Sequence, residues 1–545
     1  MEDTARTFEK AGRARRSARA MTRQFGDIMA SKPVLERAKR RRLRKDCAGC
    51  FLCGGVMSAR SERLASPKRS QLEVLHGASA DAILTNQPQP DEFTQAMSLA
   101  ERVKAGKALR DRVSRPQHRT WAPNGSRPDP LSLLQAADAD RIPELVPIRY
   151  GRMLQSPFAF YRGSAGIMAA DLSTTPNTGI QVQACGDCHL MNFGGFATPE
   201  RNILFDINDF DETLPAPWEW DIKRLATSFV LAARSIGLPA RTARDTAIAC
   251  VRSYRRHLAT YAEMHPLDVW YARVTGDDLV SLAPARERGR IQKRIAKAAQ
   301  QDGSETDFPK ITDMVGGRIR IRDMPPLIYH PEGSRGPDFE EQLKRIFRDY
   351  RETLSEDRRV LLDRYHLVDA AIKVVGVGSV GRRCWVVLMM SSCNDPLFLQ
   401  FKEAVTSVLE PYAGMSAYSQ HGQRVVVGQR LMQPASDLFL GWVTAELSGK
   451  QFYVRQLRDA KIKPLVVTFD AELLLSYALA CGWVLARAHA VAGNAAGISG
   501  YLGSNDQFDE ALGDFSVSYA DQAERDHAAL KAAVLQGKVK AYLDA

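Results

Sequence analysis

The sequence predicts an α+β chain in two lobes, with a helical region first, a β-rich region next and a helical return at the end. Three observations carry this. The first is periodicity: over Asp221–Ile236 the apolar residues Ile222, Leu225, Ala226, Phe229, Val230 and Ala233 recur at helical spacing, and Gly237 and Pro239 end the run. The second is a change of character after Ala370. The runs Ile372–Val375, Cys384–Met390 and Leu397–Phe401 are short, β-branched or aromatic, and separated by glycines and polar residues. The third is composition: 545 residues, 45% hydrophobic and 25% charged, exclude wholesale disorder, collagen and coiled coil and suffice for a large core.

The net charge of +12 belongs to the N-terminus. Residues 1–70 hold 19 Lys or Arg against 7 Asp or Glu, which leaves 56 of each in the other 475 residues. A nucleic-acid-binding body is therefore not expected. The basic stretch through Lys39–Arg42 is read as a tail that can touch polyanions. Cys47, Cys50 and Cys53 form CxxCxxC, one ligand short of a tetrahedral zinc site. The N-terminus carries no apolar secretory segment, so the expectation is a cytoplasmic protein with reduced thiols. The most apolar stretch, Leu473–Ala486, is read as a buried helix, with no membrane span expected.

In chain order, 1–91 reads as a basic tail and linker and 92–366 as the mainly helical large-lobe region. Residues 367–445 form a glycine-bearing, β-rich small lobe, and 446–545 are the helical return. Within these, helices are expected over 92–115, Asp221–Ile236, Arg241–Ala262, Glu340–Tyr365 and Ala471–Ala490, and a strand over Gly316–Asp323.

The chemistry concentrates in two places. The first is Cys185-Gly186-Asp187-Cys188-His189-Leu190-Met191-Asn192, preceded by the β-like Ile180–Ala184. Asp187 and Asn192 stand five apart. That is the spacing at which a phosphotransfer loop sets an Asp on the acceptor hydroxyl and an Asn on magnesium. His189, between them, is a candidate catalytic residue. The apolar Ile203–Ile207 then leads into Asn208-Asp209-Phe210-Asp211-Glu212, where Asp209 and Asp211 are candidate ligands for the other metal position. Mg²⁺ is a hard cation that takes carboxylate and amide oxygens and leaves room for phosphates. The bland reading is an acidic turn between strands; the ordered pair of motifs favours phosphoryl transfer. Cys185, Cys188 and His189 also spell CxxCH, a haem-attachment pattern, and are possible zinc ligands. Haem attachment needs export, and zinc needs a fourth ligand from elsewhere.

The second place is Gly376-Val377-Gly378-Ser379-Val380-Gly381. A dinucleotide-binding GxGxxG needs a helix after the glycines. Here strand-like residues stand on both sides, as in a loop that folds over phosphates. Gly376, Gly378, Ser379 and Gly381 are therefore candidate nucleotide contacts. Lys402 ends the next strand, where a lysine reaches the α/β-phosphates; its expected acidic partner is Glu410, in preference to Glu403. Val425–Met432 reads as a buried strand leading to a hinge, with Gln429 on the nucleotide.

These residues together resemble the bacterial domain-of-unknown-function family 2252, grouped with the protein-kinase-like folds. The likeness runs from about Gly106 to the C-terminus and includes Val146–Met153, Ser156–Phe158, Phe160–Gly163 and Glu219–Leu225. The Asp187 segment is also similar to the His-Gly-Asp-x-His-x-x-Asn loop of aminoglycoside phosphotransferases, with Cys185 in place of the first His. The resemblance implies a two-lobed protein-kinase-like fold. It also implies that Asp221 is a buried structural Asp. The order of motifs, with the catalytic loop before the glycine loop, lysine and hinge, is what a circular permutation produces. A conventional small lobe within 92–180 is the other possibility. The functional expectation is an ATP- and Mg²⁺-dependent phosphotransferase acting on an unidentified hydroxyl acceptor. The alternatives are a nucleotide-binding pseudokinase scaffold and a nucleotidyl transferase using the same metal site.

Overall fold

The computed structural model describes residues 97–300, 308–334, 336–457 and 462–542, all within one compact unit, His76–Ala545. The basic tail and Cys47, Cys50 and Cys53 lie outside the described residues. The chain is a mixed α+β fold, with one large sheet and three two-stranded ones among the described residues.

From residue 97 to 180 the chain is helical. α1 (Leu99–Ala108) starts at a capping box in which Ser98 and Glu101 exchange hydrogen bonds. α2 (Pro130–Ala136), α3 (Val146–Leu154), α4 (Pro157–Tyr161) and α5 (Ala165–Ser173) follow. No strand precedes Gln181 among the described residues, so a conventional small lobe does not lie there. β1 (Gln181–Ala184) pairs with β4 (Leu214–Pro217), and β2 (Phe193–Ala197) pairs with β3 (Ile203–Ile207). α6 (Trp218–Ser235) and α7 (Ala240–Glu263) match the two predicted helices to within three residues. α8 (Pro266–Tyr271), α9 (Gly276–Leu282) and α10 (Ala285–Gln300) complete this region.

β5 (Thr312–Val315) and β6 (Arg318–Ile321) form a hairpin. β7 (Ile328–Tyr329), β8 (Tyr365–Lys373), β9 (Cys384–Ser391), β10 (Pro396–Ala404), β11 (Gly441–Ala445) and β12 (Lys450–Gln456) build a six-stranded antiparallel sheet in the order β11-β12-β10-β9-β8-β7. The expected helix over Glu340–Tyr365 is two, α11 (Pro337–Glu352) and α12 (Glu356–Leu362), and Tyr365 already belongs to β8. Tyr350 and Leu354 pack with Val387, Leu399 and Phe401 on one face of the sheet. Ile311, Ile321 and Ile328 pack with Val386, Leu388 and Phe398, which alternate onto the other.

Between β10 and β11 stand α13 (Glu410–Ala413) and α14 (His421–Met432). α14 overturns the expected hinge strand. Three consecutive valines favour a strand, yet the buried residues Gly422, Val425, Val426, Gln429 and Met432 fall at helical spacing. The Gln420 side chain caps the Gln423 amide, and tertiary contact overrides local preference.

α15 (Ala471–Ala492), α16 (Ala495–Leu502) and α17 (Gln507–Leu535) end the chain. By length and composition α15 could cross a membrane, but about two thirds of its most apolar window is buried, mainly against α7.

Candidate active site

The site starts from a polar stripe on α6. Asp221, Arg224 and Ser228 sit at i, i+3 and i+7, on one helix face. All three are buried, so each needs a partner. They find it in the loop after β1. Asp221 accepts from the Cys185 and Gly186 amides at 2.6 and 3.0 Å. Arg224 donates through Nε and Nη2 to Asp187 Oδ1 at 2.7 and 2.5 Å. Ser228 accepts from the Leu190 amide at 3.0 Å. Burial alone would lower the Arg224 pKa; the Asp187 carboxylate raises it instead. His489, at the end of α15, lies 3.3 Å from Asp221 and 2.9 Å from the Tyr254 hydroxyl, a structural position. Gly186 has φ +83°, and a Cβ there would stand 2.4 Å from the Glu212 carbonyl. Only glycine fits.

Asn192 closes the loop. Its Nδ2 donates to the Asp187 carbonyl at 2.9 Å, and its own carbonyl accepts from the Asn208 amide at 2.9 Å. The two sequence motifs are thus brought together. His189 Nε2 is 3.8 Å from Asp187 Oδ2, beyond a hydrogen bond. Burial lowers the His189 pKa to about 4, so the ring is neutral at pH 7. Its Nδ1 has no hydrogen-bond partner among the described residues.

The second acidic group meets the sheet. Lys402 forms an ion pair with Asp211 and lies 3.5 Å from Asp209. Tyr453, opposite Lys402 on β12, donates to Asp211 at 2.8 Å. Arg455, two residues on and on the same face, donates to the Asn208 carbonyl at 3.2 Å. Burial alone would raise Asp209, but Lys402 and Arg455 hold it down at about 2. Burial and then the adjacent Asp209 charge raise Asp211. Lys402 stays protonated because the two carboxylates outweigh its burial.

Glu410 does not pair with Lys402. Its carboxylate accepts from the Ser407 amide at 3.1 Å. Glu403 faces away from Lys402, as neighbours on a strand must, and meets Arg383 and Lys450, each at 3.4 Å. Gln429 lies on α14 rather than on a hinge strand. It donates to Gln433 at 2.9 Å, and its buried Oε1 has no hydrogen-bond partner among the described residues. With Asn208, Arg455 and Leu438 it lines a cavity of about 220 Å³. The connection out of the sheet is instead the chain after β12, where Ile462 exchanges backbone hydrogen bonds of 2.7 and 2.9 Å with Gly195 of β2.

Gly376, Gly378, Ser379 and Gly381 lie in the turn between β8 and β9, and Gly376 and Gly381 have φ of +67° and +85°. The turn is fastened by its carbonyls. Arg152 donates to Gly376 at 2.6 Å, and the Ile142 amide donates to Gly381 at 2.8 Å. Val380 is buried against Leu145 and Ile148.

The available donors suit Mg²⁺: carboxylates at Asp209 and Asp211, and the Asn192 Oδ1 left over by its amide bond. No group of three or more His, Cys, Asp or Glu side chains among the described residues could hold a metal. That count is compatible with an ion bound through one or two carboxylates plus phosphates. Cys185 and Cys188 are both fully buried.

The residues that sequence reading missed are Arg224, Ser228, Tyr453, Arg455 and Arg424. The signal for the first two is their spacing from Asp221, and for Tyr453 and Arg455 the alternation in Lys450–Gln456. Arg424 carries no such signal. It is buried and donates to the carbonyls of Thr213, Asp211 and Val405 at 2.6, 2.9 and 2.8 Å, which ties α14 to the acidic segment.

Among curated proteins and among solved structures, nothing matches the chain. A family model does match, over residues 141–533, a narrower span than the one read from Gly106 to the C-terminus. The chain belongs to the family described as "Uncharacterized protein conserved in bacteria (DUF2252)".

Proposed function

We propose that this protein is an ATP- and Mg²⁺-dependent phosphotransferase with a hydroxyl-bearing acceptor. The observation that carries the reading is the meeting of three segments. The Asp187–Asn192 loop is bonded to the Asp209 segment, and Lys402 reaches Asp209 from the sheet that also carries the glycine turn. Phosphoryl transfer needs these parts and little else, because it depends on positioning and charge stabilisation. Asp187 orients the acceptor hydroxyl and takes its proton. Arg224 holds that carboxylate in one rotamer. The glycine turn covers the phosphates, and Lys402 neutralises their charge. Asn192 and Asp209 would hold Mg²⁺, which when bound supplies neutralisation between the phosphates.

We further infer a protein-kinase-like fold in permuted order. Glycine turn, lysine strand and the helix α14 follow one another in sequence. β12 then leads to Ile462 and α15. The end of α15 returns to the catalytic loop: Gly493 bridges Val182 of β1, the strand just before Asp187. In space α15 precedes the loop; in sequence it follows it. The Tyr542 amide donates to the Pro147 carbonyl of α3 at 2.9 Å.

The test is calorimetric titration with ATP, with and without Mg²⁺, and mass spectrometry of any modified product. Magnesium-dependent binding and a phosphoryl increment support the reading. An AMP increment replaces it with nucleotidyl transfer. Binding that ignores both Mg²⁺ and Asp209→Ala refutes the metal site.

A further inference from the structure

Arg162 follows α4, next to Tyr161, whose carbonyl accepts from the same Arg224 that grips Asp187. Its backbone carbonyl lies under Gly378, where a Cβ would approach it to 3.3 Å. Its guanidinium sits 6.0 Å from the Phe158 ring, and Asp187 is the charged group that favours its protonated form. It is also close enough to act on His189 electrostatically.

What sets Arg162 apart from its neighbours is its lack of a partner. Arg149 donates to Asp138 and to the Gly163 carbonyl at 2.9 and 2.8 Å. Arg224 is committed to Asp187 and the Tyr161 carbonyl, and Arg152 to the glycine turn. The Arg162 side chain has no hydrogen bond or ion pair with any described residue, and its Nε is buried and unsatisfied. A guanidinium whose Nε–H is buried and unmet is costly unless something supplies an acceptor. An anionic group between the tip of the turn and Asp187 would do so. Arginine's planar fork suits the oxygens of a phosphoryl group better than a point charge does.

We propose that Arg162 binds the phosphoryl group in flight, as an arginine supplied in cis to the transition state. The inference rests on the phosphotransferase reading. In the step, a bond forms between the acceptor oxygen and the γ-phosphorus. The bond from that phosphorus to the β,γ-bridging oxygen breaks, and its electron pair leaves with ADP. The acceptor proton passes to Asp187. Arg162 transfers no proton; it donates hydrogen bonds to the equatorial oxygens, where charge is spread in the transition state.

The experiment titrates the full chain with MgADP alone, and then with MgADP plus aluminium fluoride, which mimics the group in transfer. Wild type is expected to bind the second combination much more tightly. Arg162→Ala is expected to keep MgADP affinity within about twofold and to lose the fluoride-dependent gain by about a hundredfold or more, in line with arginines of this role. Arg162→Lys should recover only part, because it keeps the charge and loses the fork. Arg162→Gln, a closer match in size, gives the same reading if the alanine variant melts early. An unchanged fluoride gain in these variants overturns the proposal, as does an equal loss of MgADP binding itself, which would make Arg162 a ground-state ligand. A wild type that binds MgADP without any fluoride gain also overturns it while leaving nucleotide binding intact. A wild type that binds no MgADP refutes the phosphotransferase reading, and the role of Arg162 with it.

Discussion

Asp187 and Asp209 lie on loops that are bonded to each other, yet their counterions come from opposite directions. Asp187 is gripped by Arg224 from α6, within the helical body that bears the loop. Asp209 and Asp211 are neutralised by Lys402, and Asp211 is also bonded by Tyr453, both from the sheet. The first arrangement is complete without the sheet. The second exists only where sheet and body meet. Asp187 is thus preset, while Asp209 and Asp211 depend on the seating of one region on the other.

The largest expected effect isolates the first centre. Asp187→Asn keeps the shape and removes the proposed proton acceptor. ATP turnover should fall by roughly a thousandfold or more, within the usual range for a positioned acid–base group, with nucleotide affinity nearly unchanged. Turnover and calorimetric titration of one preparation check both halves.

Removing each counterion sharpens the contrast. Lys402→Ala removes the cation paired with both carboxylates and leaves only Arg455 to offset them, and the expected loss is about 3–5 kcal/mol in urea unfolding. Adding Asp211→Asn should restore part of it, since the pair is coupled. Arg224→Ala should cost less, about 1–3 kcal/mol, because it strips the cation from one carboxylate rather than two, Asp187 being no more exposed than Asp209 and Asp211. Equal losses would show that the second carboxylate adds nothing to the cost of losing the cation.

A third carboxylate supplies the control. Asp206 lies on β3 three residues before Asp209, is buried, and makes no direct ion pair with a described residue. Burial raises its pKa to about 7, against the pull of Arg487. Its folded pKa is above the unfolded one, so stability is fullest below about pH 4 and is lost as pH rises through about 7. Asp206→Asn should flatten that slope between pH 5 and 8 in thermal melts. A slope that persists unchanged assigns it to other groups.

The smallest effect concerns geometry alone. Arg224→Lys keeps the charge but loses the two-nitrogen grip on Asp187. A loss of about 1 kcal/mol or less in stability is expected, with a clearer fall in turnover than in nucleotide affinity. If turnover holds, the rotamer of Asp187 is set by something other than Arg224.

Much of the site could be read from local pattern. Asp187, Asn192 and Asp209 were legible because their spacing reflects a loop closed by short-range hydrogen bonds. The glycine turn was legible because strands flank it on both sides. Glu410 misled because helical nearness to Lys402 in sequence says nothing about which way β10 points its side chains. Val425–Met432 misled because three valines carry a strand signal, while the burial that decides the matter comes from Thr213 and the acidic segment.

By itself the sequence determined the α+β class, the α6, α7 and α15 helices, the glycine turn and the Asp187 and Asp209 motifs. Each follows from periodicity, punctuation or spacing within a few dozen residues, where chain geometry alone constrains the outcome. Only the tertiary structure decided that Lys402 serves Asp209 and Asp211, that α14 is a helix, and that α15 docks its end on β1 ahead of the loop. Those depend on which buried charges must find partners, and the partners lie far apart in the chain. Desolvation makes an unpaired buried charge costly wherever its counterion sits in the sequence, so the pairing is settled in space.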